Sequence, residues 1–195
     1  MSRRLGIAFR KKLPKSTNPY NVDAMTREVS AGGVVLRELD GVWHVALIEP
    51  QKEDSRDLKT AIKRAAVLCL PKGLVDEGEK AEAAAIREVF EETGIKAAVI
   101  TKIVDTKYVY VRTWGDGERV FKIVSFYLMR YVSGEIDDVV PEMRVEVKRA
   151  LWVPLAGATK QMAYSGERKV VLDAEKYVEA HGLTENARER KIRSS

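Results

Sequence analysis

The chain has 195 residues, of which 45% are hydrophobic and 32% charged, a composition typical of a soluble globular protein with one full core. Its formal net charge of +5 is uneven, because the first 28 residues hold seven lysines and arginines against two acids and the remainder is balanced. A single cysteine excludes an internal disulfide.

The chain lacks the run of about 18 apolar residues that a membrane-spanning helix needs. Its first apolar run, residues 5–9, is too short for a secretory signal. We therefore expect a cytoplasmic protein with no membrane partner. We predict a basic N-terminal arm at 1–28, one domain at 29–182 and a charged flexible tail at 183–195. The arm is either a solvated tail or a segment that attracts phosphate.

The first part of the domain predicts strands. One strand is expected at 29–36, broken at Gly32-Gly33, and its partner at 42–48, joined by a hairpin turn at Asp40-Gly41. A polar loop at 51–64 follows, and its cations, Lys63 and Arg64 among them, form either a solvated face or contacts to phosphate. A short apolar strand is expected at 65–70, where Cys69 is a buried, unreactive thiol.

Residues 70–73 predict a turn, since Pro71 cannot donate to a strand ladder and glycine permits unusual dihedral angles. A helix is expected at 79–93, because this run is rich in Ala, Glu, Arg and Lys and ends before Gly94. On that helix Glu88, Glu91 and Glu92 share one face. Their clustered carboxylate oxygens are hard ligands that suit Mg²⁺ or Mn²⁺, although an acidic cluster alone is more often a solvated face.

The rest of the chain predicts more strands and a final helix. We expect a strand at 97–104, a long hairpin of strands at 107–113 and 118–132, an acidic loop at 133–145 and a strand at 146–153. An amphipathic helix at 166–180 should end at Gly182.

Residues 73–95 resemble the Nudix box: Gly, five residues, Glu, seven residues, Arg-Glu, an apolar residue, any residue, Glu-Glu, any residue, Gly and an apolar residue. Every defined position is filled, by Gly73, Glu79, Arg87, Glu88, Val89, Glu91, Glu92, Gly94 and Ile95. Chance matches to such a pattern are of the order of 10⁻⁹ per window at average residue usage. The resemblance implies the α/β fold of the Nudix hydrolases: an α/β/α sandwich with a mixed sheet, a catalytic helix and a C-terminal helix.

The resemblance also implies a role for each residue of the box. The carboxylates of Glu88, Glu91 and Glu92 and the backbone carbonyl of Lys72 match the ligands of Mg²⁺, or alternatively Mn²⁺. Arg87 matches the arginine that orients the glutamates. Gly73, Glu79 and Gly94 match structural positions. For the general base, Glu88, Glu135, Glu142 and Glu146 are all open.

In the Nudix family the reaction is hydrolysis of a nucleoside diphosphate linked to another group. Leu70-Pro71-Lys72-Gly73 is similar to the variant found in dinucleoside polyphosphate hydrolases, so such a substrate is expected first. Lys72, Lys63, Arg64, Tyr108 and Tyr110 are candidate substrate contacts, with Trp114 a further aromatic nearby.

Several alternatives stay open. A nucleoside triphosphate pyrophosphatase and a diphosphoinositol polyphosphate hydrolase are alternative enzymes, and an ADP-ribose hydrolase has no supporting motif. A ligand- or RNA-binding regulatory domain is the non-enzyme alternative. We expect a small phosphate-containing partner rather than nucleic acid, and a homodimer stays open.

Overall fold

The computed structural model describes residues 25–51, 67–112 and 117–183. In this part of the chain six strands and two α-helices follow one another along the sequence. They are β1 (Thr26–Leu39), β2 (Val42–Pro50), β3 (Lys72–Leu74), α1 (Ala81–Thr93), β4 (Ile95–Val111), β5 (Arg119–Gly134), β6 (Val147–Pro154) and α2 (Ser165–His181). Two short 3-10 helices lie at Pro141–Val145 and Ala158–Gln161. Among the helices in these ranges, none combines the length and the hydropathy that a membrane-spanning helix requires.

The strands form one mixed sheet in the order β4-β5-β1-β2-β6, with β3 paired to β1. At its centre β1 and β5 run parallel, from the Thr26–Val120 pair to the Leu36–Arg130 pair. The remaining pairings are antiparallel. The sheet is therefore organised around two strands that are distant in the sequence.

The two helices cover opposite faces of the sheet. Because side chains alternate along a strand, Ala31 and Val35 of β1 pack with Ala84, Ala85 and Val89 of α1. Val34 and Leu36 point to the other face and share a core with Val170, Val171 and Ala174 of α2. The predicted α/β/α sandwich, with one helix from the box and one near the C-terminus, is confirmed.

Several local predictions are confirmed. Asp40 and Gly41 have φ of 50° and 76°, as a two-residue hairpin between β1 and β2 requires. Gly94 has φ of 79° and ends α1 in the left-handed conformation. Cys69 is buried, and burial raises the pKa of its thiol to about 12.

Other local predictions are wrong. The turn expected at 70–73 is in part strand, since β3 pairs with Ser30 to Gly32 of β1. The two strands expected at 97–104 and 107–113 are the single strand β4, whose pairing with β5 shifts register three times. These irregularities break the period-two alternation that would have revealed one long strand.

Some predictions fall on residues outside the described ranges. These are most of the arm at 1–28, most of the loop at 51–64, and the tail beyond Leu183. The domain boundaries stay predictions, although β1 already begins at Thr26, inside the predicted arm.

Candidate functional site

Arg87 is the centre of a hydrogen-bond network on one face of α1. Its Nε and Nη2 donate to the two carboxylate oxygens of Glu79, at 3.1 and 2.8 Å. Its Nη1 donates to Glu88 Oε1 at 2.7 Å and to Glu91 Oε2 at 3.0 Å, and its Nη2 also donates to the backbone carbonyl of Leu74 at 2.9 Å. A planar guanidinium can serve this many acceptors, whereas an ammonium cannot. Arg87 thus links the start of the box to the acidic face of the helix.

Glu79 and Asp76 exchange two hydrogen bonds in the turn that precedes α1. Its carboxylate accepts the backbone N–H of Asp76 at 3.1 Å, while its own N–H donates to the Asp76 carbonyl at 3.0 Å. The hydrogen bond from Arg87 is the main cause that lowers the pKa of Glu79. These contacts join Glu79 to the turn before α1 and to Arg87, and its structural role stays a prediction.

Glu88 is buried against Gly73, and the pair explains why the box begins with glycine. A Cβ added at Gly73 would lie 2.1 Å from the Glu88 carboxyl carbon and 2.1 and 2.3 Å from its oxygens. Only 5% of Glu88 is exposed. Burial is the main cause that raises the pKa of Glu88, and Arg87 opposes it. Any side chain at Gly73 would displace this carboxylate.

Glu92 is the second buried carboxylate of the helix, also 5% exposed. Its Oε2 accepts the backbone N–H of Lys72 at 2.7 Å. Burial, opposed by Lys72, raises the pKa of Glu92 to about 8. Ionising a carboxyl that is buried in this way costs free energy, and a cation close to it reduces that cost.

The acidic face has the donor chemistry of a divalent metal site. Hard carboxylate oxygens suit Mg²⁺ or Mn²⁺, and the desolvated Glu88 and Glu92 would both be stabilised by a cation. Within the described ranges, no three acidic, histidine or cysteine side chains are grouped to hold an ion as they stand. One oxygen each of Glu88 and Glu91 accepts a hydrogen bond from Arg87 Nη1. The proposed ligand role of the Lys72 carbonyl stays a prediction.

A cleft of about 610 Å³ lies on the opposite face of the sheet, between the β4–β5 strands and the start of α2. Its lining combines three lysines with several aromatic rings: Lys72, Lys107, Lys122, Tyr108, Tyr110, Phe126 and Tyr164. The rings of Tyr108 and Tyr110 lie 6.4 Å apart, tilted by 48°. The structure thus brings three of the predicted contact residues, Lys72, Tyr108 and Tyr110, into one cleft. Lys63, Arg64 and Trp114 lie outside the described residues.

Three charged residues of the cleft were missed by sequence reasoning. Lys107 and Lys122 line it from β4 and β5. Only Lys122 shares the period-two spacing of the lining residues on its own strand, Val124 and Phe126, and that spacing was the available signal. Glu167, in the first turn of α2, is 5% exposed and lies 3.3 Å from the Lys72 ammonium. An acid in a first helical turn is too common to indicate a site by itself.

Among the candidate general bases, Glu146 lies within electrostatic range of the buried pair. After burial, which dominates, the Glu146 carboxylate is among the causes that raise the pKa of both Glu88 and Glu92. Glu146 is exposed and directly precedes β6. Glu135 and Glu142 are exposed residues of the segment between β5 and β6.

Comparison with known proteins finds a matching family profile and several relatives. The profile of the NUDIX domain matches residues 26–174. The MutT4 protein of Mycobacterium tuberculosis is 36% identical over 154 residues, which are 78% of this chain and 56% of that protein. An RNA pyrophosphohydrolase of Sphingopyxis alaskensis is 32% identical over 100 residues, or 47% of this chain and 63% of that protein. The chain thus spans little more than half the length of these curated relatives.

Solved structures share the fold. An Ap4A hydrolase binary complex from Caenorhabditis elegans superposes with a TM-score of 0.57 and 21% identity, over 78% of this chain and 98% of that one. The NUDIX domain of Shewanella oneidensis NrtR, complexed with ADP ribose, gives a TM-score of 0.59 and 15% identity, over 82% and 94%. At these identities the likeness concerns the fold alone.

Proposed function

The chain belongs to the NUDIX domain family, and we propose that it is a metal-dependent pyrophosphohydrolase whose preferred substrate is a dinucleoside polyphosphate. The observation that carries this proposal is the complete box, in which Arg87 orients Glu88 and Glu91 while Glu92 is buried beside Lys72. Hydrolysis would break one P–O–P bridge of the substrate and add water across it.

Glu88, Glu91 and Glu92 are the residues that would hold the metal. When bound, Mg²⁺ or Mn²⁺ would neutralise phosphate oxygens and lower the pKa of water. The protein supplies the geometry: Gly73 leaves the space that Glu88 fills, and Arg87 fixes Glu88 and Glu91 from the other side. Lys72 is placed between this face and the cleft, with its N–H on Glu92 and its side chain in the cleft.

The lining of the cleft supports a substrate with several phosphates and an aromatic base. Three lysines would attract a chain of phosphate oxygens. Tyr108 and Tyr110 offer faces on which a base could stack. A diphosphoinositol phosphate has no base for these rings and is the less favoured alternative.

A nucleoside triphosphate is the second candidate substrate. A Mycolicibacterium smegmatis relative named as an 8-oxo-(d)GTP phosphatase, 30% identical over 102 residues, favours it, whereas the lining of the cleft does not. Both substrates present a phosphate chain and a base, so the chemistry proposed for the box is the same for either.

We assign Glu146 as the first general-base candidate, because its carboxylate acts electrostatically on both Glu88 and Glu92. Glu146→Gln should lower kcat by about 10²-fold. Glu142→Gln, in the same exposed loop, is the matched control. An unchanged kcat in Glu146→Gln would return the assignment to the remaining glutamates.

The substrate proposal is tested by kcat/KM in Mg²⁺ for diadenosine tetraphosphate, a nucleoside triphosphate, an 8-oxo-purine triphosphate, ADP-ribose and a diphosphoinositol phosphate. We expect the dinucleoside polyphosphate to rank first. A higher value for a triphosphate would replace the substrate but leave the reaction class intact. Tight ligand binding with no turnover of any member would favour the regulatory alternative.

A further inference from the structure

One carboxylate, that of Glu28 on β1, is the centre of a polar cluster at one end of the cleft. Its Oε2 accepts the phenolic O–H of Tyr110, on β4, at 2.9 Å. Its Oε1 accepts Nη2 of Arg112, directly after β4, at 2.8 Å, and the Lys122 ammonium of β5 lies 3.5 Å from Oε2. We call Glu28, Tyr110, Arg112 and Lys122 the outer cluster. Because β5 lies between β1 and β4 in the sheet, the cluster ties three strands together.

The strand registers place the outer cluster at the end of the cleft that is distant from the box. Gly32 of β1 pairs with Lys72 of β3 and with Phe126 of β5. Glu28 of β1 pairs with Lys122 of β5. These two levels are four residues apart along β5, which is roughly 13 Å at the rise of a strand. Lys72 therefore marks the inner end of the cleft, beside the acidic face of α1, and the outer cluster marks the opposite end.

The charges of the outer cluster are compensated within the protein. Arg112 donates through Nη1 to Glu118 at 3.0 Å as well as through Nη2 to Glu28, so two cations face two carboxylates. The side chains of Glu28 and Lys122 are only 18% and 21% exposed. Of the cluster, Tyr110 and Lys122 line the cleft. Because Lys122 is already paired, the feature that distinguishes this end for a ligand is the Tyr110 ring, held by its hydroxyl.

We propose that Glu28 is a positioning residue, which fixes the Tyr110 ring as the outer wall of the cleft so that the base of a nucleotide binds against it. The inference rests on the proposed function in one respect, that a nucleotide occupies the cleft. A tethered ring has lost its rotational freedom before the ligand arrives, so binding does not have to immobilise it. Immobilising one such side chain changes affinity roughly two- to tenfold. Glu28 thus acts through Tyr110 and does not touch the ligand.

Two variants break the tether from its two ends. Tyr110→Phe keeps the ring and every charge of the outer cluster but cannot donate to Glu28. Glu28→Ala removes the acceptor instead, together with its charge. Glu118→Gln is the matched control, because it removes a carboxylate charge and a contact to Arg112 while leaving the hydrogen bond of Tyr110 in place. The comparison therefore separates the tether from the charge of the cluster.

The measurement is isothermal titration of adenosine triphosphate and of tripolyphosphate into each protein in metal-free buffer. Both ligands carry three phosphates, so the ratio of their affinities reports the contribution of the nucleoside. We expect wild type to prefer the nucleotide, and Tyr110→Phe to bind it roughly two- to tenfold more weakly with tripolyphosphate unchanged. Glu28→Ala should lower the ratio by the same factor, and the double variant no further, because both changes remove one hydrogen bond. Glu118→Gln should keep the wild-type ratio.

A merely structural role of Glu28 would lower stability and leave the affinity ratio unchanged. An unchanged ratio in Tyr110→Phe would overturn the proposal, as would additive losses in the double variant or a wild type without preference for the nucleotide. If Glu28→Ala does not fold, Tyr110→Phe decides alone. If the predicted ratios appear while no nucleotide of the panel is hydrolysed in Mg²⁺, the proposed function is wrong and the role of Glu28 stands. If turnover is as proposed but Tyr110→Phe keeps the wild-type ratio, the reverse holds.

Discussion

Gly73→Ala should reduce activity far more than it reduces stability. The added Cβ would lie 2.1 Å from the Glu88 carboxyl carbon, whereas carbon atoms in contact lie about 3.5 Å apart or more. The Glu88 carboxylate must therefore move by about 1.4 Å, and Arg87 at 2.7 Å restricts where it can go. A displacement of that size costs roughly 10²-fold in rate, while overpacking costs about 1–3 kcal/mol of folding free energy.

Gly33→Ala is the matched control for this prediction. Its Cβ would lie 2.7 Å from Val89 Cγ2 and 2.9 Å from Met129 Sδ, two side chains of the core beneath α1 that are not part of the carboxylate cluster. We expect a similar loss of stability by urea denaturation but nearly unchanged kcat/KM for the best substrate of the panel. Equal losses of activity in the two variants would show that Gly73 acts through general packing and would refute the account of Glu88.

Three further predictions concern the acidic face. Glu92→Gln should lower kcat/KM by at least about 10²-fold in Mg²⁺, and wild-type turnover in excess chelator would contradict any metal requirement. Because burial raises the pKa of Glu92 from 4.5 to about 8, wild-type protein freed of metal should lose stability as pH rises through this interval, by up to about 5 kcal/mol; denaturation at stepped pH should show no comparable loss in Glu92→Gln. Arg87→Lys should weaken Mn²⁺ binding and lower the rate, since an ammonium cannot reach Glu79, Glu88 and Glu91 together; paramagnetic relaxation and steady-state kinetics test this, and wild-type values for both would refute the orienting role.

The box was predictable because its information is local. Glu88 and Glu92 are one helical turn apart, so their shared face follows from the period of the helix alone. The left-handed end at Gly94 and the hairpin at Asp40-Gly41 likewise depend on the residue types at those positions. The fold class was then predicted from the resemblance to the Nudix box, and the observed mixed sheet agrees with that prediction.

The cleft was only partly predictable because it is assembled from distant residues. Glu167 is brought to Lys72 by packing of α2 on the sheet, across 95 positions of sequence. Strand β3 has three residues, too few to show an alternation. The contact between Gly73 and Glu88 depends on the depth at which α1 packs, which no spacing rule specifies.

The parallel pairing at the centre of the sheet has a consequence for how the chain folds. Thr26 pairs with Val120, so this ladder closes a loop that contains β2, β3, α1 and β4. Contacts of such long sequence separation slow folding, because the entropy of loop closure is lost before the ladder compensates for it. During synthesis the β1–β2 hairpin can form early. The edge of β1 that pairs with β5 stays unpaired until β5 has been synthesised. Helix α1 can therefore pack against the complete sheet only after β5 has left the ribosome.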